Sequence, residues 1–176
     1  MNIRLFQKTD LISVQRVIET SFFDNESKEI SKLALDLSTE TSSPQIVSLV
    51  AEVDNKIVGY VSYSPIFLKS DTGISGYILS PLAVSTEYQK QGVGRKLINY
   101  GKDMLTKDGV GVLLVYGDPD YYGRFGFNEE IGRLFVPPYP LEHPFGWTGI
   151  MLDRNDIPQM PINFDCVASL SKPELW

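Results

Sequence analysis

The residues best placed to do chemistry in this chain form a glycine turn from Gln89 to Gly94, with the sequence QKQGVG, followed by Arg95. Apolar residues recur at helical spacing from Val93 to Leu105, which predicts a helix that begins at the turn. The first N–H groups of a helix have no partner within it, and the aligned peptide dipoles place partial positive charge there. Glycines let the backbone close around an anion without a Cβ in the way. The turn therefore predicts an anion-binding site.

The charge around the turn favours the same ligand. The chain carries a formal net charge of -6, yet residues 88–102 contain Lys90, Arg95, Lys96 and Lys102 and no Asp or Glu. A basic island on an acidic chain indicates an anionic partner at that place. An alternative interpretation makes the lysines a solvated helix face. Arg95, next to the turn, is the best candidate for a phosphate contact.

The form of the turn distinguishes between kinds of phosphate site. A P-loop needs Gly-Lys-Ser/Thr, which does not follow Gly94, and the dinucleotide fingerprint needs Gly or Ala where Leu97 stands. The pattern Q-x-x-G-x-G followed by a basic residue instead resembles the pyrophosphate loop of the GCN5-related N-acetyltransferase (GNAT) family. That resemblance implies acetyl-CoA as cosubstrate and no metal. The alternative is a helix that merely starts after a tight glycine turn.

A second dense motif, GDPDYYGRFGF, spans Gly117 to Phe127. GNAT enzymes often carry a tyrosine four residues before a Gly-Phe pair, and Tyr122 stands at that spacing from Gly126. The sequence of this motif resembles that of the YhbS-like subgroup of bacterial predicted N-acetyltransferases. Many family members have Asn near the position of Asp118, so this chain departs from the pattern there and the role of Asp118 stays open.

The resemblance implies an N-acetyltransferase that moves an acetyl group to an amine by direct attack in a ternary complex. The carbonyl oxygen gains charge and needs a fixed donor, and the CoA sulfur leaves as a thiolate that is helped by a proton. Because a phenol has a pKa of about 10 and a thiol of about 8.5, a tyrosine can donate to the sulfur while it is itself un-ionised at neutral pH. We assign Tyr122 as the general acid, with a packing aromatic as the alternative, and the backbone N–H of Val84 as the donor to the thioester carbonyl.

By the same resemblance, the strand before the turn offers backbone groups to the pantetheine arm, and the turn holds the pyrophosphate. The predicted cofactor-binding residues are Leu82, Ala83, Val84, Gln89, Gln91, Gly92, Val93, Gly94 and Arg95. The general base is unassigned: Glu52 and Asp118 are candidates, and an ordered chain of water molecules is another. Tyr121 and Arg124 are interpreted as structural.

These motifs need a scaffold to position them. A first strand is followed by helices from Leu11 to Phe22 and from Glu26 to Leu37, a three-strand meander, the glycine turn with its helix, and a buried strand from Val110 to Tyr116. A short helix and further strands follow, the last from Ile162 to Leu170. This order predicts a mixed α/β (α+β) sheet flanked by helices. The resemblance narrows it to the GNAT fold, a mostly antiparallel central sheet with a splayed strand pair that holds acetyl-CoA.

The third strand of the meander runs from Gly76 to Val84 and contains Pro81. Proline cannot donate to a strand ladder, so the pairing is predicted to loosen there. This strand contains no Asp or Glu, where some GNAT proteins place one.

Bulk composition is that of one globular domain over residues 1–176. Hydrophobic residues make up 43% of the chain and charged residues 22%. No apolar run approaches the roughly 20 residues that span a bilayer, and the N-terminus lacks an apolar signal core, so we expect a cytoplasmic protein without a membrane partner. A single cysteine, Cys166, and a single histidine, His143, argue against a disulfide and a metal site. The acidic balance argues against nucleic acid, and monomer and homodimer both stay open.

The acceptor is an unidentified amine. By analogy with the family, its pocket is bordered by the helices from Leu11 to Leu37 and by the Pro-rich stretch from Val136 to Pro144. The residues expected there are Phe22, Phe23, Asp24 and Glu26 on one side and Tyr139, His143 and Trp147 on the other. Two rival functions stay open. One is a non-catalytic acyl-CoA sensor or interaction module on the same fold, which the missing strand carboxylate favours. The other is a scaffold protein that binds no cofactor.

Overall fold

The computed structural model describes residues 1–22, 24–71, 73–153 and 157–176. The strands in these ranges are β1 (Asn2–Leu5), β2 (Val47–Val53), β3 (Lys56–Leu68), β4 (Gly76–Val84), β5 (Val112–Tyr116), β6 (Phe135–Val136), β7 (Trp147–Met151) and β8 (Ile162–Cys166). The α-helices are α1 (Leu11–Ser21), α2 (Asp24–Thr39), α3 (Val93–Lys107), α4 (Pro119–Gly123) and α5 (Glu129–Gly132).

The main sheet runs in the order β1-β2-β3-β4-β5-β7. Every neighbouring pair is antiparallel except β4 and β5, which are parallel. β8 pairs with the far end of β3, and β6 pairs with β8. The predicted mixed α/β fold with a mostly antiparallel sheet is therefore confirmed.

Each face of the sheet carries an apolar core, because buried side chains alternate in direction along the strands. On one face, Leu49, Val61 and Leu113 pack against α3. On the other, Val50 packs with residues of α1 and α2, and Leu114 packs with residues of the C-terminal segment. The helices therefore cover both faces, with α3 and residues of α4 on the face that continues into the glycine turn.

Small residues let α3 approach the sheet closely. A Cβ on Gly101 would collide with the Tyr63 ring, whose hydroxyl donates to Leu97 O at 3.1 Å. A Cβ on Gly59 would lie 2.8 Å from Cγ1 of Val93. The close packing fixes the N-terminus of α3 beside the end of β4.

Two predicted strand boundaries differ from the structure. The buried strand begins at Val112 because Val110 belongs to the turn that ends α3, where its N–H donates to Leu105 O at 3.0 Å. The last strand ends at Cys166 because residues 168–170 form a 3-10 turn. The carboxylate of Glu40 accepts from the N–H groups at the start of that turn at 2.7 and 2.9 Å, which stabilises the turn in place of a longer strand.

Candidate functional site

β4 and β5 separate where the predicted site lies. Their parallel pairing ends at Leu79 and Val115, although β4 continues to Val84. The β3–β4 register shifts opposite Pro81, as predicted from its missing N–H. Beyond Leu79, the edge of β4 that faces β5 is therefore open, and we call this opening the fork.

The open edge of β4 presents backbone groups of Leu82 and Val84. The Ser85 N–H donates to Val58 O at 2.9 Å across the β3–β4 pair. Because hydrogen-bonded positions alternate along an antiparallel pair, Leu82 and Val84 turn their N–H and C=O groups away from β3 and into the fork. Consistent with this direction, Val84 O lies 2.7 Å from Ser21 Oγ. The Val84 N–H therefore points into the fork.

The glycine turn ends in a left-handed residue immediately before α3. Gly92 has a φ of 82°, a conformation that favours glycine, and Lys90 has a φ of 60°. The first helical hydrogen bond runs from the Lys96 N–H to Gly92 O at 3.0 Å. The N–H groups of residues 93–95 therefore have no acceptor within the helix, and they lie at the positive end of its dipole.

A cavity of about 690 Å³ joins the open edge of β4 to the turn. We call it the basic cavity, because its charged lining residues are Lys90, Arg95 and Arg124, with no carboxylate from the described ranges. Its full lining is Ser21, Phe22, Leu82, Ala83, Val84, Tyr88, Gln89, Lys90, Gly92, Val93, Gly94, Arg95, Asn99, Tyr121, Arg124 and Phe125. The structure thus brings together every predicted cofactor-binding residue except Gln91.

The two glutamines of the turn brace the backbone. Gln89 Nε2 donates to Val84 O at 3.1 Å, which ties the turn to the end of β4. Gln91 Nε2 donates to Glu87 O at 2.7 Å on an exposed part of the turn, so its side chain does not line the basic cavity. The sequence pattern identified both residues, but the contacts of their side chains are structural.

A second cavity, of about 560 Å³, meets the basic cavity at Phe22, Leu82 and Tyr121, which line both. We call it the acidic cavity, because carboxylates line it and no Lys, Arg or His of the described ranges does. Its charged residues are Glu26, Glu29, Asp118 and Glu174. Its other lining residues are Ile30, Leu33, Ile78, Leu79, Ser80, Pro81, Tyr116, Gly117, Tyr122, Leu170, Leu175 and Trp176.

The short helix α4 sets Tyr122 into the acidic cavity. Asp118 is the N-cap, and its carboxylate accepts from the Asp120 N–H at 2.9 Å, which gives this residue a structural role. The Tyr122 ring packs edge-on against Phe127, with 5.8 Å between centroids, and a Cβ on Gly117 would come within 2.6 Å of it. Burial raises the pKa of Tyr122, so its hydroxyl keeps its proton well above neutral pH.

Tyr121 lies beside Tyr122 but reaches the start of α3. A Cβ on Gly94 would collide with the Tyr121 hydroxyl, so this hydroxyl lies against the helix N-terminus. The Arg124 guanidinium carbon is 5.4 Å from the centroid of the Tyr121 ring. Both residues line the basic cavity, and their interpretation as structural stays a prediction.

Comparison with known proteins connects this geometry to a family. The family model described as Acetyltransferase (GNAT) domain matches residues 44–129. The uncharacterized N-acetyltransferase YjhQ of Escherichia coli strain K12 is 37% identical over 136 residues, which cover 75% of this chain and 74% of YjhQ. The chain belongs to the GNAT family.

Solved GNAT structures agree with the sequence match. The uncharacterized N-acetyltransferase YhbS of E. coli strain K12 is 31% identical over 128 residues, covering 73% of this chain and 74% of YhbS. The structure of E. coli YhbS in complex with CoA has a TM-score of 0.82 at 25% identity, and the match covers 97% of this chain and 92% of that one. A GNAT acetyltransferase from Brucella melitensis in complex with acetyl-CoA has a TM-score of 0.69 at 25% identity, covering 97% of each chain. The predicted GNAT fold and YhbS-like resemblance are confirmed.

The two carboxylates considered as a base lie apart in this GNAT protein. Glu52 accepts from Arg4 Nε at 3.0 Å and lines a different cavity, which also includes Asp10. Asp118 lines the acidic cavity beside Tyr122. Glu52 is therefore removed from the fork, and Asp118 remains near it.

The sequence predicts Glu26 beside the acceptor pocket, but it gives no sign that Glu29 and Glu174 also line the acidic cavity. Glu29 looks like an ordinary solvent-facing residue of an amphipathic helix, and no local pattern connects Glu174 to β4. Only the packing of α2 and residues 173–175 beside the fork brings them together. Phe23 and the side chain of Asp24, predicted near the acceptor, lie outside the described part of the chain.

The remaining features concern metals and membranes. In the described ranges, no group of three or more His, Cys, Asp or Glu side chains is arranged to hold a metal ion. Cys166 is buried, and its thiol lies 3.5 Å from Ser171 Oγ. Within the same ranges, no helix combines the length and the apolar character needed to cross a bilayer.

Proposed function

We propose that this GNAT protein transfers the acetyl group of acetyl-CoA to an amine, by direct attack in a ternary complex. Two cavities of opposite charge that meet at the fork carry the proposal. The basic cavity suits the phosphates of acetyl-CoA, and an amine can reach the same point through the acidic cavity. The CoA and acetyl-CoA complexes of the similar GNAT structures support the first half of this assignment.

The residues of the basic cavity fit acetyl-CoA. The open edge of β4 can pair with the amide groups of the pantetheine arm, as a peptide adds to a sheet edge. The free N–H groups of residues 93–95 and the side chains of Lys90, Arg95 and Arg124 can hold the phosphates. A glycine at position 92 keeps the turn in its left-handed conformation without a side chain in the cradle.

The chemistry then divides among few groups. The Val84 N–H donates to the thioester carbonyl oxygen, where negative charge develops. The neutral amine nitrogen attacks the carbonyl carbon, the carbon–sulfur bond breaks, and Tyr122 gives its proton to the sulfur. The surplus proton of the amine leaves through water or Asp118 and restores the Tyr122 hydroxyl. The products are the N-acetylated amine and the CoA thiol.

A second candidate function is a non-catalytic acyl-CoA sensor on the same fold. The absence of Asp and Glu from β4 favours it, because the strand itself supplies no base at the fork. Release of CoA thiol from acetyl-CoA, measured with and without a panel of primary amines, separates the two functions. Thiol release that depends on the amine supports the enzyme, and binding without release supports the sensor.

Replacing Tyr122 with Phe tests the mechanism. The Tyr122→Phe variant should bind acetyl-CoA with unchanged affinity and lose kcat by about 100-fold, the lower range of what a general acid contributes. Tyr100→Phe is the matched control, because Tyr100 is 45% exposed on α3 and lines neither cavity. Unchanged kcat in Tyr122→Phe at saturating substrates would remove Tyr122 as the acid.

A further inference from the structure

We propose that the acceptor amine carries a second positive charge, which binds in a distal subsite beyond the acidic cavity. The inference rests on the proposed function and names the class of its acceptor. A third cavity, of about 390 Å³, continues from the acidic cavity. The two share a wall formed by Tyr116, Gly117, Asp118, Glu174, Leu175 and Trp176. An acceptor that enters the acidic cavity can therefore extend past Tyr122 into this third space.

The distal subsite combines aromatic rings with carboxylates. Its own residues come from the loop before β7 and include Glu142, His143 and Phe145. Phe145 is 62% exposed, and its ring centroid lies 5.7 Å from that of His143. A ring face beside a carboxylate suits an ammonium group, which is attracted by both.

The loop that carries these residues is fixed against the end of β5. The His143 N–H donates to the Tyr116 hydroxyl at 2.7 Å, and the Gly117 N–H donates to Gly146 O at 2.9 Å. A Cβ on Gly146 would come within 2.9 Å of Gly117 O, so only glycine permits this approach. The wall of the subsite is thus preformed, which lowers the cost of binding.

The charge of the two connected cavities is one-sided. None of the carboxylates that line them forms a salt bridge within the described residues, and none of their described lining residues is Lys or Arg. His143 is the one imidazole among their described lining residues. The unneutralised negative field therefore favours an acceptor with two cationic groups over one with a single amine or with a carboxylate.

A matched set of acceptors tests the inference. 1,6-Diaminohexane, hexylamine and 6-aminohexanoate have the same chain, and their far ends are positive, neutral and negative. We expect kcat/KM for the diamine to exceed that for hexylamine by about tenfold, equivalent to about 1.4 kcal/mol, with 6-aminohexanoate the poorest acceptor. Equal values for the diamine and hexylamine, a preference for 6-aminohexanoate, or acetylation of none of the three would overturn the inference.

A variant of the subsite locates the effect. Glu142→Gln should raise KM for the diamine and leave the kinetics of hexylamine unchanged, because Glu142 lines the third cavity but not the acidic cavity. Glu130→Gln is the control, because Glu130 is exposed on α5 and lines neither cavity. A diamine preference that survives Glu142→Gln would contradict the placement of the second charge. Acetyl-CoA binding to the same samples is measured in parallel. Hexylamine acetylated as fast as the diamine would contradict only the proposed acceptor class. Absence of acetyl-CoA binding would contradict the proposed function as well.

Discussion

Gly92 has to satisfy both the backbone and the ligand. Its φ of 82° lies in the left-handed region, and it lines the basic cavity immediately before the free N–H groups of α3. Gly92→Asp would place a side chain and a negative charge in the turn that we propose holds the phosphates. We expect acetyl-CoA affinity to fall by at least about 100-fold. The steric clash and the charge repulsion need to cost only about 1.4 kcal/mol each to produce that loss. Titration calorimetry with acetyl-CoA measures it.

Gly109 provides a matched control for that substitution. It has a φ of 76°, lies past the other end of α3, and has open space around its Cβ position. Gly109→Asp should carry a similar backbone cost of about 1–2 kcal/mol in stability and keep full acetyl-CoA affinity. Equal affinity in the two variants would show that the turn does not hold the phosphates.

At this scale the sequence identified residues whose role depends on local spacing. Gly92, Gly94 and Arg95 follow from the turn pattern, and Tyr122 from its distance to the Gly-Phe pair. The contact of Tyr121 with the start of α3 was not predicted, because Gly94 is distant from it in sequence. Only the packing of α4 against α3 brings the two residues together. The assignments of Tyr122 and Val84 to chemical steps stay predictions until variants are measured.

Among the elements, the contact of α3 with β3 decides where the turn lies. Gly101 leaves room for the Tyr63 ring, so Gly101→Ala would force the helix away from the sheet. We expect a loss of about 1–3 kcal/mol in the free energy of unfolding, as for other overpacked sites, together with weaker acetyl-CoA binding. Chemical denaturation measures the first effect and calorimetry the second.

Gly123→Ala is the comparison for this element, since nothing lies within 4 Å of its Cβ position at the end of α4. It should leave the free energy of unfolding within about 0.5 kcal/mol of that of the parent protein, the usual range for surface substitutions. If Gly101→Ala were as mild as Gly123→Ala, the close α3–β3 contact would not be what fixes the turn.

Elements with a long periodic pattern were predictable, and short ones were not. The bounds of β4 match the prediction from Gly76 to Val84, because an apolar run ends at a polar turn on each side. The four residues of α5 (Glu129–Gly132) are too few to show a helical period, so the sequence indicated only irregular structure there. The fork between β4 and β5 needs tertiary pairing to exist, and only the family resemblance anticipated it.

At high pH, the stability of the whole molecule depends on its buried tyrosine phenols. Burial raises the pKa of Tyr60, Tyr63 and Tyr122. In the unfolded chain these phenols ionise near a pKa of about 10, whereas the folded protein holds their protons. Their contribution to stability is therefore complete below about pH 10 and is lost as the pH rises towards the folded values.

The free energy of unfolding should accordingly fall as the pH rises above about pH 10. Tyr63→Phe should be less stable at the lower pH, because the hydrogen bond to Leu97 O is lost, but its stability should decline less steeply with pH. Denaturant titration at several pH values measures both. A parallel decline in the two proteins would mean that Tyr63 does not contribute to the linkage.

The segregation of charge between the two cavities exists only in the folded molecule. The sequence shows the basic island of residues 88–102, but it scatters the opposing carboxylates over α2, the start of α4 and the C-terminal segment. The net charge of -6 therefore does not reveal that one basic and one acidic cavity meet at the fork. The cavity proposed for the acceptor is therefore negatively charged, which no local sequence motif indicates.

Calorimetric titration of the purified protein with acetyl-CoA, with CoA and ATP as comparisons, tests the central claim that the fork and the glycine turn bind the cosubstrate. We expect saturable binding to one site for acetyl-CoA and CoA, which ATP does not reproduce. Absence of binding to either form of CoA would contradict it, because the turn would then be structural and the fork would hold no thioester.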